Sequence, residues 1–207
     1  NRQGQLLNVT GYDGTAILST YRNTFNRVGS SLLGSPISNV RPSGNGFLQE
    51  FAGGSDGRGA IMKSNANDKS YWVGGDFWNK LQQAGGAGGI LSYATSERYS
   101  TVSGASRQNF QGGAIIKSRS GIFTVYGGIG SHYLKEGGER GRLGLPTSGE
   151  VGIGNGVIVQ NFEKGRIVWN GGSARTEIYG HTPSQAPQTG GSSFSYGGRT
   201  YQWTRYT

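Results

Sequence analysis

Gly141-Arg142-Leu143-Gly144-Leu145-Pro146-Thr147-Ser148 is followed, after a short polar stretch, by Gln160-Asn161-Phe162-Glu163-Lys164-Gly165-Arg166-Ile167-Val168-Trp169. These two words decide the fold because both occur again upstream. Without a gap, Gly85-Gly86, Leu91, Thr95-Ser96, Gln108-Asn109-Phe110, Gly113 and Ile115 fall under Gly137-Gly138, Leu143, Thr147-Ser148, Gln160-Asn161-Phe162, Gly165 and Ile167. In an earlier copy, Leu33-Gly34-Ser35-Pro36-Ile37-Ser38 stands for the first word and Gln49-Glu50-Phe51 for the start of the second. There, Gly59-Ala60-Ile61-Met62-Lys63-Ser64 nearly repeats Gly113-Ala114-Ile115-Ile116-Lys117-Ser118, after a short insertion around Ser55 to Arg58. A tandem repeat sets the fold class before any local pattern does, since each unit must bury its apolar face against the next.

Working outward, each word pair is preceded by a helical stripe. Leu18, Tyr21, Phe25 and Val28 are spaced for one face of a short helix that Gly29 ends. Phe77, Trp78, Leu81 and Ala84 do the same before Gly85-Gly86, and Ile129, Tyr133 and Leu134 before Gly137-Gly138. The Leu-Gly and Pro-Thr-Ser segments read as tight turns tucked under the unit. After them, Val157 to Phe162 and Arg166 to Trp169 are β-branched and aromatic runs around a turn, which predicts a hairpin, with equivalents at Arg107 to Lys117 and Phe47 to Lys63. A further strand leads out of each unit at Tyr71 to Gly74, Thr124 to Gly127 and Thr176 to Gly180. Phe51, Phe110 and Phe162, an aromatic at the same place in every copy, are expected in the core.

The expected fold is mainly β with short helices, an α+β repeat in which three tandem helix-plus-β-hairpin units stack as a compact solenoid or propeller-like ring. Residues 1–16 form a partial preceding unit or capping strand, with Leu6 to Val9 as its strand. Repeats follow over 17–75, 76–128 and 129–180. Residues 181–193, rich in Pro, Gln, Thr, Gly and Ser, are a linker, and 194–207 a C-terminal aromatic β-hairpin around Gly197-Gly198. That hairpin either caps the array by pairing with Leu6 to Val9 or adds a strand to another subunit.

The repeated words resemble the LGFP repeat, whose pattern runs approximately Gly-x-Leu-Gly-x-Pro-Thr and then Gln-x-Phe-x-x-Gly-x-Ile-x-Trp. The third copy fits best. The second has Ser92 at the second glycine, Ala94 at the proline and Lys117 at the tryptophan, where the first has Lys63. The resemblance implies a module of secreted bacterial wall or surface proteins that is noncatalytic and holds its host on cell-wall glycan.

Composition bounds the function independently. Forty glycines make a turn-dense chain, yet without a period of three they exclude collagen, and 11% aromatics argue against wholesale disorder. No apolar run approaches the roughly 18 residues of a membrane span, and no cysteine is present for disulfides or thiolate chemistry. The net charge of +9 favours anionic surroundings, but the Lys and Arg residues are scattered over all units, so nucleic acid is not an expected partner.

Catalytic patterns are missing. The two histidines, His132 and His181, sit in no nucleophile motif, and with no cysteine they are too few for an ordinary zinc site. No metal, cofactor or enzymatic activity is expected. Glu136, Glu139, Glu150, Glu163 and Glu177 keep a wall-glycan hydrolase as a lesser alternative, since such chemistry needs two carboxyls. The preferred reading is a secreted module that binds or anchors to wall or surface polysaccharide. Its candidate glycan contacts are Trp169, Arg166, Gln160, Tyr133 and Tyr179 in the third unit, with Gln108, Tyr126 and Trp72 upstream, because aromatic rings stack on sugar faces and amides and guanidinium groups bond the rim. The other class of function is a structural or assembly subunit of a surface fibre or appendage, self-associating through 194–207.

Overall fold

The computed structural model describes the backbone of residues 14–102, 104–180, 192–196 and 199–203, and the side chains of 21–102 and 104–180. The chain divides into two compact units, Asn1–Glu177 and Ile178–Thr207. The first holds three antiparallel sheets joined by short helices.

Helix α1 (Gly14–Val28) and the single turn α2 (Ser30–Leu33) lead into the first sheet. This sheet is β1 (Gly34–Pro36), β2 (Arg41–Pro42), β3 (Gly46–Gly54), β4 (Gly57–Ser64) and β5 (Tyr71–Gly74). Helix α3 (Gly75–Gln83) passes to the second sheet, β6 (Tyr99–Ser100), β7 (Ser106–Phe110), β8 (Gly113–Ser118) and β9 (Gly121–Tyr126). Helix α4 (Gly127–Lys135) passes to the third, β10 (Pro146–Gly154), β11 (Val157–Phe162), β12 (Gly165–Trp169) and β13 (Ala174–Ile178). In each sheet the strands lie in sequence order, β2 alone pairing to the side on β3. The mainly β repeat with short helices is therefore present. Among the described residues the sheets form no closed barrel, and no strand pairing runs from one sheet into the next as a continuous solenoid ladder would require.

The local pattern forms these elements for the reasons its residues suggest. Gly85 and Gly137 end α3 and α4 in the left-handed region, both at φ 93, where a side chain would be strained. The hairpin at Phe47 to Lys63 absorbs its extra residues by lengthening both strands, with a register shift between Phe51 and Gly54. The Leu-Gly and Pro-Thr-Ser segments differ from the tight turns expected. They run into the first strand of the first and third sheets, with Pro36 opposite Phe51 and Pro146 opposite Phe162, while in the second sheet they contribute an isolated bridge between Ala94 and Phe110. Proline tolerates this place because an edge strand asks for no N–H on its outer side.

The core repeats as the sequence does. Leu33, Leu91 and Leu143 are fully buried, as are Ile61, Ile115 and Ile167, and Phe51, Phe110 and Phe162 are buried with them. Each such side chain contributes about 1.5–3 kcal/mol by leaving water. One cluster runs through sheet β3–β5, α3 and the next unit, from Leu48, Ala60, Met62 and Val73 through Phe77, Trp78 and Leu81 to Leu91, Tyr93, Phe110 and Ile115. Neighbouring units thus share a core and are not beads on a string. Leu134, by contrast, turns out to solvent at 57% exposed, while Gly130 takes the inner face of α4 beside Ile129 and Tyr133.

A polar staple recurs at each junction. Gln108 Nε2 donates to the carbonyl of Trp72, in the last strand of the preceding sheet, at 2.7 Å and to Ser96 O at 3.0 Å. Gln160 Nε2 repeats this on Thr124 O and Ser148 O, both at 2.9 Å. Trp72 and Thr124 stand in equivalent register, opposite Ile61 and Ile115. The serine closes the loop, because Ser96 Oγ and Ser148 Oγ accept from the backbone N–H of Asn109 and Asn161 at 3.0 Å. In the first unit Gln49 Nε2 reaches Ser38 O, and Ser38 Oγ accepts from Glu50 N. All three glutamines are at most 1% exposed.

In the second unit, β14 (Ser192–Tyr196) and β15 (Arg199–Trp203) pair antiparallel with Phe194 opposite Tyr201, so the expected aromatic hairpin is present and begins two residues earlier. Residues 1–13, with the expected strand at Leu6 to Val9, and most of the expected linker, 181–191, lie outside the described residues.

Replacing Gln160 by leucine keeps the volume and removes the donor from two inward-facing carbonyls, so Gln160→Leu is expected to cost about 1–3 kcal/mol. Urea unfolding followed by tryptophan fluorescence reads this, and an unchanged midpoint would refute the staple.

Candidate binding site

A cleft of about 600 Å3 opens on the second repeat, between sheet β6–β9 and helix α4. It is lined by Thr95, Tyr99, Arg107, Asn109, Gln111 and Tyr126 of the second repeat and by Ser131 and Leu134 of α4. Tyr99 is 43% exposed and Leu134 lies at the open rim. Aromatic edges beside amide and guanidinium groups make a surface on which a sugar ring can lie with its hydroxyls engaged at the sides.

Arg107 sits on β7 directly opposite Tyr99 on β6. It is only 9% exposed. Its Nη1 donates to both oxygens of Glu139, at 3.0 and 3.2 Å, and its Nε to Asn109 Oδ1 at 2.7 Å. Asn109 Nδ2 in turn donates to the Tyr99 hydroxyl at 3.2 Å. Glu139 belongs to a short turn after α4, Gly138–Arg140, so the ion pair fastens that turn to the sheet. At the junction of the first and second repeats, Leu48 and Ala87 stand at the places that Arg107 and Glu139 take at the next junction, and both are buried in the apolar core. The junction of the second and third repeats has exchanged an apolar pair for a charged one at the wall of a cleft.

At the end of β9, burial pushes the Tyr126 hydroxyl up to about 12, helped by its hydrogen bond to Glu150 and that carboxylate's charge. Burial likewise pushes Glu150 above the usual carboxylate range, against the opposing pull of the Tyr126 hydrogen bond. Gln111 is exposed, and its amide is engaged within the protein, accepting from Ser92 Oγ and donating to Ser64 Oγ, both at 2.9 Å.

Of the residues expected to touch a glycan, the cleft gathers Tyr126 and Tyr133. Tyr133 is fully buried beneath it, stacked on Phe162 with ring centroids 4.7 Å apart and donating to Gly144 O at 2.9 Å. Burial raises its hydroxyl pKa well above normal. The others lie elsewhere. Gln108 and Gln160 are the junction staples, with no donor left for a ligand, and their place at a binding rim is corrected for that reason. Trp72 is likewise core, 4% exposed, edge-on to Phe51 at 6.1 Å and donating from Nε1 to Asp56 at 2.9 Å. Arg166 is 5% exposed and ion-paired to Glu177, which also holds Arg175. Trp169 is half-buried at the end of β12, its ring so close over Gly128 that a Cβ there would stand 2.5 Å from it. Tyr179 is 46% exposed just after β13, in the other compact unit.

Arg107, Asn109 and Tyr99 escaped the pattern search. One signal for them was present in the sequence: an arginine stands where the other copies put Leu48 and Val159, and the third copy has a glutamate, Glu139, where the second has Ala87.

The third unit's carboxylates are engaged. Glu136 pairs with Arg142 and His132, Glu139 with Arg107, Glu177 with Arg166, and Glu163 accepts from the Leu145 N–H at 3.0 Å. Among the described residues no three His, Cys, Asp or Glu side chains gather as metal ligands. No described helix is long and apolar enough to cross a membrane.

Comparison with known protein families matches the LGFP repeat to residues 91–141 and 143–182. Both matches open close to a Leu word, at Leu91 and Leu143, and run through the sheet that follows. No curated protein matches the chain.

Two outcomes follow from this geometry. Arg107→Leu leaves Glu139 buried without its partner and is expected to cost about 3–5 kcal/mol, whereas Arg107→Leu with Glu139→Ala rebuilds the Leu48 and Ala87 pair of the preceding junction and recovers most of it; chemical denaturation of the three proteins decides. Glu150 has a folded pKa raised above 4.5, so it supports folding most below that pH and loses this support as pH rises through the folded value. Glu150→Gln is therefore expected to melt higher than wild type at pH 7 and to lose that advantage by about pH 4.

Proposed function

The chain is an LGFP repeat protein, and on that premise we propose that it is a non-catalytic extracellular module that attaches to cell-wall or surface polysaccharide through the cleft of its second repeat. LGFP repeats are typically found in surface-associated bacterial proteins, which supplies the setting. The observation that carries the reading is the cleft itself, where Tyr99 and Tyr126 flank a groove bordered by Arg107, Asn109, Ser131 and Thr95. Sugar rings need flat apolar faces and a hydrogen-bonding rim, and this cleft offers both.

The anchoring role follows from how the units are joined. Shared cores and the Gln108 and Gln160 staples make consecutive repeats one stiff piece, which suits a tether between a wall polymer and whatever the array is attached to. A net charge of +9 draws such a protein toward anionic wall surfaces before any specific contact forms. The engaged carboxylates of the third repeat favour a binding role over hydrolysis, which needs a free acid and base facing one bond.

Sedimentation with insoluble wall material, at low and moderate salt, tests the reading with Tyr99→Ala and Trp169→Ala alongside. Retention is expected to fall several-fold for Tyr99→Ala, whose ring is 43% exposed in the cleft, and to survive Trp169→Ala, whose ring covers Gly128 and is not in the cleft lining. Absence of retention in the wild-type chain at either salt concentration would sink the proposal in favour of assembly through the C-terminal hairpin.

A further inference from the structure

The hydrogen bonds along one wall of the cleft fix which end of each group faces the ligand. Arg107 Nε can only donate, so the Asn109 side chain must turn its oxygen to it, as the 2.7 Å contact shows. The amide nitrogen of Asn109 then has no choice but to donate onward, and it does so to the Tyr99 oxygen at 3.2 Å. With that oxygen accepting, the hydroxyl hydrogen of Tyr99 is left to point away from Asn109. Arg107 spends Nη1 on Glu139 and Nε on Asn109, and among the described residues its Nη2 has no partner. A guanidinium on a side chain only 11% exposed does not ordinarily leave one edge of its fork unused.

We infer that this wall selects a carboxylate borne on a sugar, held by the Arg107 Nη2 edge and the Tyr99 hydroxyl. The inference rests on the glycan reading and narrows it to acidic glycans. The Arg107 Nη2 edge can only donate. A sugar hydroxyl meeting it leaves its own hydrogen unused there, whereas a carboxylate brings two oxygens and no hydrogen, and can take the Nη2 edge and the Tyr99 hydroxyl together. Glu139 occupies the Nη1 edge, so the guanidinium stands between two carboxylates, one from the protein and one from the ligand, and its planar fork suits that bridging role.

The arrangement is peculiar to the second repeat and is not demanded by the scaffold. The places of Tyr99, Arg107 and Asn109 are held by Arg41, Leu48 and Glu50 in the first repeat, where Arg41 and Arg58 close on the Glu50 carboxylate. In the third they are held by Val151, Val159 and Asn161, with no guanidinium at all. The sheet folds with any of these sets, so the donor chain of the second repeat is left to be explained by what it faces.

Calorimetric titration of the 207-residue chain at moderate salt tests this with four oligosaccharides: an oligogalacturonate, the same oligomer with its carboxyls reduced to alcohols, a muramic-acid disaccharide carrying its carboxylate on a lactyl ether, and an N-acetylglucosamine oligomer. At least one carboxylate probe is expected to bind ten-fold or more tighter than both neutral ones, and which one does identifies the source of the carboxylate. Tyr99→Phe keeps the ring and removes the donor, and is expected to bring the affinity of the acidic probes down to within about two-fold of their neutral counterparts; Arg107→Leu with Glu139→Ala should do the same in a folded protein. Equal binding of neutral and acidic probes would overturn the inference and leave the glycan reading standing. An acidic preference unchanged by Tyr99→Phe and by the double variant would overturn it as bulk charge attraction. Failure of all four probes, together with no retention on wall material, would overturn both.

Discussion

The structure depends on a carboxamide placed where water cannot reach it. At the junctions between the first and second and between the second and third sheets, one glutamine side chain donates both of its hydrogens to backbone carbonyls, one in its own unit and one in the last strand of the unit before. A buried carbonyl without a donor is costly, so this bond fixes the neighbouring sheet as firmly as its own turn. Apolar packing alone would let one sheet slide over the next. Two directed bonds at a constant register do not, and the serine that accepts the following backbone N–H holds the glutamine's strand in place. The Oε1 of Gln160 has no partner within the described residues, so the amide is present for its donors.

Around this constraint the apolar positions are free to repeat. Leucine, phenylalanine and isoleucine recur at fixed places in each unit and are buried every time. What varies is the ring of positions just outside them. Leu48 and Ala87 at the first junction become Arg107 and Glu139 at the second, and a charged pair in such a place brings no clear gain in stability over an apolar one. That exchange opens the polar wall of the cleft without touching the repeating core or the staple. The repeat is thus a scaffold whose inner residues are fixed by packing and whose next layer can be altered for binding.

Much of the fold was legible. The helical stripes ended by Gly29, Gly85 and Gly137 became helices because three- and four-residue spacing places those side chains on one face, and the β-branched runs became hairpins with the expected partners. The Leu-Gly and Pro-Thr-Ser words were harder. Glycine and proline point to a turn when taken locally, and only pairing with the Gln-x-Phe strand turns the same residues into an edge strand. Trp169 was a similar case. Its departure from Lys63 and Lys117 marked it as special, but what makes it so is Gly128, whose missing side chain gives the ring a place to lie.

The sequence by itself determined the repeat, the residues of the core and the order of helix and strand, because these follow from spacing along one chain. It could not decide which polar side chains face inward. Period two places Gln108 and Gln160 on a face of their strands, but whether that face meets solvent, a ligand or the carbonyls of another sheet depends on what is packed across it, and that is a property of the neighbouring unit. For the same reason Arg166 and Trp72 read as surface chemistry and are buried structure, while Arg107, inconspicuous in the pattern, reaches a cleft only because α4 and the turn at Glu139 are laid over its sheet. Only the tertiary structure brings those elements together, since the contacts that make the site join residues far apart in the chain.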